Sequence, residues 1–176
     1  MQNLVVNRKI DSMGRIVIPK EYRSYYNINE NDYLRVIPLP DGFALKKYSR
    51  LDSCKKLLQH ITDLIFPYVN AEVFIADKDR IVAYSGKYKN KYLNSEISNN
   101  IRDSINRRES LFEKYRKKLF ISNVDNICCT YINDTIISNS EEVGIIYIFK
   151  DESIVNDMDL KIIKIVSSFL SKYLEE

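Results

Sequence analysis

Gly14-Arg15-Ile16-Val17-Ile18-Pro19-Lys20-Glu21 is the stretch that decides how the first 50 residues are read. Gly14 closes the turn Asp11-Ser12-Met13-Gly14, where a residue able to take φ > 0 is needed. Arg15 to Ile18 is a β-branched strand. Pro19 ends that strand and, because its missing N–H is not needed in a first helical turn, it opens a short helix from Lys20 to Tyr26. Asn27 is placed to stop that helix in a left-handed conformation. Working outward, Leu4 to Ile10 is a second β-branched strand upstream. Downstream, Tyr33 to Ile37 and Phe43 to Tyr48 form a hairpin across Pro38-Leu39-Pro40-Asp41-Gly42. Short strands and one helical turn bury little surface, so a segment of this size is marginal alone and dimerisation is a physical expectation.

Composition separates this segment from the rest. The chain has 176 residues, 45% hydrophobic and 29% charged, with a net charge of +3, which excludes bulk disorder. Residues 1–50 carry nine Lys/Arg against five Asp/Glu, and residues 51–176 carry eighteen against nineteen. The positive excess, three of the four prolines and two of the four glycines therefore fall in the first segment. Two domains are expected, 1–50 and 51–176. The longest apolar runs, such as Ile145 to Phe149, are far shorter than the ~18 residues of a membrane span. The N-terminus lacks the basic and apolar regions of a signal peptide. With three cysteines and no CxxC spacing, reduced thiols in a cytoplasmic protein are expected.

Within residues 1–50, Arg8, Arg15 and Arg23 recur at seven- and eight-residue intervals, each beside a structural break, with Lys9 and Lys20 nearby. A guanidinium fork next to a turn reaches outward and suits phosphate and guanine edges; surface solubility is the alternative for any single arginine. The run from Arg8 to Arg23 resembles the signature of the AbrB-type swapped-hairpin DNA-binding domain. That resemblance implies two chains interleaving their hairpins into one small β-barrel. It implies double-stranded DNA as partner, with Arg8, Arg15 and Arg23 as contacts and Lys9 and Lys20 on phosphates. The family often has an arginine directly after the third one, where this chain has Ser24.

Residues 51–176 have a different rhythm. Leu51, Cys54, Leu57, Leu58, Ile61, Leu64 and Ile65 predict a helix ending near Pro67. Glu72 to Ala76 and Arg80 to Tyr84 predict strands joined by Asp77-Lys78-Asp79, followed by a Lys/Tyr-rich loop from Lys87 to Tyr92. Leu93, Ile97, Ile101 and Ile105 predict a second helix; Lys118 to Ile121, Ile127 to Ile132 and Val143 to Phe149 predict strands. Met158, Ile162, Ile165, Val166, Phe169 and Tyr173 predict a final helix. The fold class is α+β, with an antiparallel sheet and flanking helices. This order is similar to a GAF-type sensor domain, and the pairing of the two modules resembles transcription regulators of sporulation. The resemblance implies a small-molecule pocket within 71–149, with Tyr84, Ser85, Tyr92 and Cys129 as candidate lining groups. A tetramer is expected, in which the helices Leu51–Phe66 and Met158–Leu174 add a second contact to the N-terminal dimer; the alternative is that both helices pack only on their own sheet.

Catalytic chemistry finds no constellation. His60 is the only histidine and sits in a helical pattern as a packed or surface residue. Cys128 and Cys129 alternate to opposite faces of a strand, which disfavours a joint metal site, and Asp77 and Asp79 read as turn residues. Neither a P-loop nor a GxGxxG is present, so no enzyme, cofactor or metal is expected. Lys87, Lys89 and Lys91, interleaved with Tyr88 and Tyr92, could form an anion surface or a solvated loop. A rival class is an antitoxin using the same hairpin fold, whose short flexible tail would contrast with the folded character expected of 51–176.

Overall fold

The computed structural model describes residues 5–30 and 32–175. The first residue of the expected upstream strand, Leu4, lies outside the described residues. The chain divides between Tyr48 and Ser49 into two compact units.

In the first unit Pro19 precedes α1 (Lys20–Tyr25), and Asn27 stops it at φ 50°. A hairpin follows, β1 (Leu34–Leu39) against β2 (Gly42–Lys47), in register from Leu34↔Lys47 to Leu39↔Gly42. The turn is Pro40-Asp41 alone, tighter than the expected five-residue connection, because Pro38 and Leu39 stay in the ladder. Lys47 Nζ holds the start of the hairpin to the helix stop, 2.7 Å from the Asn27 carbonyl and 3.0 Å from Asp32 Oδ2. Residues 5–10 and 15–18 join no ladder among the described residues. Among the described residues the unit thus holds one two-stranded sheet and not the expected barrel, because these two stretches exchange no strand-to-strand hydrogen bonds.

The second unit is α+β as the rhythm predicts. The expected first helix is broken at Cys54 into α2 (Arg50–Ser53), capped by Ser49, and α3 (Lys55–Val69). Pro67 sits inside the last turn of α3, and the helix ends at Asn70, φ 44°, whose amide donates to the Phe66 carbonyl. β3 (Glu72–Ala76) and β4 (Ile81–Ser85) follow. Part of the expected Lys/Tyr loop is a single helical turn, α4 (Lys89–Tyr92). Leu93 and Ile97 fall outside the next helix, because Asn94 turns the chain at φ 67° and Ser98 Oγ caps α5 (Asn99–Asn106). β5 (Ser110–Ser122), β6 (Asp125–Ser138) and β7 (Glu141–Lys150) are longer than the apolar runs suggest. α6 (Asp157–Tyr173) opens on a capping box between Asn156 and Asp159.

The five strands are antiparallel in the order β4-β3-β7-β6-β5. One face packs Val73, Ile75, Ile132, Ile146 and Ile148 against Leu51, Leu58, Ile163 and Leu170 of α2, α3 and α6. The other packs Phe74, Tyr84, Tyr147 and Phe149 against α4 and α5 through Tyr92, Ile101 and Ile105. The final helix corrects the periodic reading. Its buried stripe is Ile163, Val166 and Leu170, whereas Met158, Ile165, Phe169 and Tyr173 face outward.

Candidate functional site

Arg8, Lys9, Arg15, Lys20 and Arg23 are all exposed. Arg15 is held by the turn that precedes it. Asp11 Oδ1 accepts the amides of Met13 and Arg15 at 2.9 and 2.8 Å, and Asp11 Oδ2 accepts from Arg15 Nε at 2.7 Å. The Asp11 amide donates to the Arg15 carbonyl, and Gly14 takes φ 77° to close the loop. The Arg15 amide, and then its guanidinium, hold the Asp11 carboxyl below the usual carboxylate range. Lys20 and Arg23 lie three residues apart on α1 and share one face of it. The turn at 11–15 thus presents Arg15, and α1 presents Lys20 and Arg23, with the apolar run Ile16 to Ile18 between them. Sequence reasoning treats Asp11 as turn chemistry only and misses its grip on Arg15; an Asp four residues before an Arg across a Gly turn is the signal that could have found it.

The four expected pocket residues lie in the second unit's interior. Tyr84 is fully buried, stacked 5.9 Å from Phe74, and its hydroxyl donates to Glu72 Oε2 at 2.9 Å. Burial, and then the Glu72 charge, push that phenol above its ordinary pKa. Ser85 Oγ donates to Asp63 Oδ1 at 2.5 Å, and Tyr92 donates to Asp125 Oδ2 at 2.7 Å. Cys129 is fully buried, and burial followed by the charge of Asp151 pushes its thiol up to about 12. With Phe74 and Tyr147 stacked at 4.9 Å, Tyr84, Tyr92 and Cys129 fill the sheet face under α4, whereas Ser85 lies on the opposite face against α3. A cavity of about 340 Å³ lies instead between α5 and β5–β6, lined among others by Ser104, Arg107, Glu109, Leu111, Tyr131 and Tyr147. None of the four expected residues lines it.

The anion surface weighed for the 87–91 segment is neutralised in place. Lys87 pairs with Asp151 and Glu152, Lys89 with Asp63, and Lys91 with Asp125. His60 is exposed on α3. Cys128 is exposed where Cys129 is buried, as strand alternation predicts. No described helix is long and apolar enough to cross a membrane.

Comparison with known proteins assigns the family. Among solved structures, the second unit's fold is similar to the GAF domain of nlh2 from A. aeolicus, with a TM-score of 0.52 and 19% identity over 69% of this chain and 85% of that one. It is similar to a GAF domain region from Geobacter sulfurreducens, with a TM-score of 0.54 and 15% identity over 72% of this chain and 95% of that one. A type II free methionine-R-sulfoxide reductase from Thermoplasma acidophilum has a TM-score of 0.53 at 10% identity, over 72% of this chain and 95% of that one. Likeness at these identities concerns the fold alone. Residues 55–175 match the family model for the C-terminal part of stage V sporulation protein T, a transcription factor. The chain is 30% identical over 171 residues to stage V sporulation protein T of Bacillus subtilis (strain 168), covering 96% of each chain. The AbrB-plus-GAF arrangement read from the residues, and the match along nearly the full length, converge: this chain belongs to the stage V sporulation protein T family, with a GAF-type C-terminal domain.

Proposed function

We propose that this chain is a cytoplasmic, non-enzymatic regulator of sporulation transcription that binds double-stranded DNA as a homo-oligomer. Its N-terminal unit completes a swapped-hairpin barrel with a second copy and grips the duplex through Arg8, Arg15 and Arg23, with Lys9 and Lys20 on phosphates. One observation carries this reading. Val5, Ile10, Ile16 and Val17 are 86%, 69%, 51% and 76% exposed on the same stretches that carry Arg8, Lys9 and Arg15. Exposed apolar side chains gathered on such short runs mark an interaction surface, and a second copy would cover them and leave the cations outward.

The second unit supplies the other half of a tetramer. Leu64 and Tyr68 lie at helical spacing on α3, as do Met158, Ile165 and Phe169 on α6, outside the stripes that face the sheet. Two helices each bearing a second apolar stripe favour a bundle with the same pair of another copy. The cavity beside α5 supports small-molecule sensing in this unit, whereas Tyr84, Ser85 and Tyr92 hold internal hydrogen bonds and Cys129 is buried in the core. The antitoxin alternative is not favoured, since residues 49–176 form a packed sheet and not a short flexible tail.

The test is duplex binding by the full chain across a salt series. Affinity should fall steeply with salt as counterions are released, and the Arg8/Arg15/Arg23 triple alanine variant should lose binding. Full binding by that variant, or salt-independent affinity, would refute the DNA reading. Sedimentation at micromolar concentration should return a tetramer; a monomer refutes both contacts, and a dimer refutes the helical one.

A further inference from the structure

The second unit is not uniformly charged. Residues 107–118 carry six Lys/Arg and two Asp/Glu, while the remainder of 51–176 carries twelve and seventeen. A balance of +4 is therefore packed into twelve residues of a segment that is otherwise −5. Most of that charge lies on β5, the edge strand of the sheet. The last β6–β7 pair is Thr130↔Lys150, yet β5 and β6 remain paired out to Ser122↔Asp125. Beyond β7 the two strands continue as a ribbon.

Alternation sorts the ribbon's side chains. Leu119, Ile121, Ile127 and Cys129 turn inward to the core beside α4 and α5. Arg116, Lys118, Phe120 and Cys128 are exposed. Arg116 Nη2 donates to the Cys128 carbonyl at 2.9 Å, which fixes the guanidinium over the ribbon. Its remaining N–H groups are free to meet an acceptor. Neither Arg116 nor Lys118 has a carboxylate partner among the described residues, in contrast to Lys87, Lys89, Lys91 and Lys117. Lysines on an edge strand also discourage edge-to-edge pairing. Side chains stand perpendicular to the sheet, however, so Arg116 and Lys118 project from its face, and the register shift between Glu113 and Lys117 already interrupts the edge.

We propose that this outer face of the β5–β6 ribbon is a second DNA contact, in which Arg116 and Lys118 bind phosphates of the duplex. The inference rests on the duplex-binding reading of the N-terminal unit and adds to it a contact that carries no base specificity. Phosphate is the partner of complementary charge, and a fixed guanidinium beside an ammonium matches adjacent phosphate oxygens.

The experiment uses the full chain and a long duplex of arbitrary sequence, with affinity measured across a salt series. Arg116→Ala/Lys118→Ala should lower the slope of log affinity against log salt by about 0.9 for each phosphate contact removed. Arg116→Lys/Lys118→Arg should keep the wild-type slope, which separates charge from folding. Melting curves of both variants should match wild type. An alanine variant with the wild-type slope overturns the inference, as does one that keeps the slope and self-associates, since its cations then guard the edge. A triple Arg8/Arg15/Arg23→Ala variant separates the two readings. If it binds fully while the ribbon variant loses slope, the N-terminal assignment fails and the ribbon contact stands. If wild type binds no duplex, both fail.

Discussion

Replacing Asp159 by asparagine removes one charge from an ion pair that water hardly reaches. Asp159 and Lys150 are 2% and 9% exposed, with Nζ and Oδ2 2.8 Å apart. The same carboxylate oxygen accepts the Asn156 amide at 2.9 Å and so closes the capping box of α6. In Asp159→Asn the amide oxygen can still accept that bond, so the cap survives and the perturbation is one of charge. Lys150 is left as a buried ammonium without a counter-charge. Removing one partner of a buried pair costs about 3–5 kcal/mol, whereas an exposed pair is worth ~0–1. With a urea slope of ~2 kcal/mol/M, a loss of about 4 kcal/mol moves the unfolding midpoint down by about 2 M. Urea titration of the full chain followed by far-UV circular dichroism reads that shift. Lys150→Met/Asp159→Asn should recover most of it, because the methionine keeps the apolar stem and removes the stranded charge. An Asp159→Asn midpoint within about 0.5 M of wild type would mean that the pair behaves as an exposed one, and the burial argument would be refuted.

Asp11→Asn keeps the turn acceptor for the Met13 and Arg15 amides but releases the Arg15 guanidinium, so duplex binding at low salt should tighten by less than about tenfold. Because the Asp11 carboxyl is held low, its support of the turn is present above the ordinary value of 3.8 and is lost as pH falls through its depressed value; a carboxyl titration followed by NMR should give a midpoint below 3.8. A thiol reagent at pH 8 should label Cys128 rapidly and leave Cys129, raised to about 12, unreacted until the chain unfolds. Gly144→Ala would place a Cβ 2.2 Å from the Ala76 carbonyl oxygen on the neighbouring strand, and a destabilisation of about 1–3 kcal/mol should follow in the same urea assay.

The fold was legible wherever one periodicity dominated. Asn27, the β1–β2 hairpin and the order of helices and strands in the second unit could be read directly. The reading loses its grip where two signals overlap. α6 carries apolar residues on two stripes, so spacing alone could not say that Ile163 and Leu170 face the sheet while Ile165 and Phe169 face out. The sequence shows β5 only as Lys118 to Ile121, because its first half, Ser110 to Arg116, mixes charged and aromatic residues with little apolar alternation. Residues 5–10 and 15–18 form no ladder among the described residues, so the strands that their β-branched residues promise are not formed there. For the candidate sites, the arginines were visible because they flank turns. The tyrosines of the sheet face were ambiguous because a buried phenol with a carboxylate partner and a pocket-lining phenol are the same letter in sequence. Pairing of Lys87, Lys89 and Lys91 with distant acids was invisible for the same reason, since each partner arrives through tertiary structure.

The 87–92 segment is fastened at both ends. Tyr88 reaches Asp151 at 2.8 Å, just past β7, and Tyr92 reaches Asp125 at the start of β6, while Glu72 accepts the amides of Lys87 and Tyr88 from below. A short helical turn would ordinarily fray on its own. Here its opening requires the release of carboxylates on two other strand ends and of one buried beneath it, so it should open with the sheet's margin as one cooperative unit. Hydrogen exchange should accordingly protect the amides of 91–93 and 126–129 to a similar degree, and loss of the Tyr92 hydroxyl should lower both sets together.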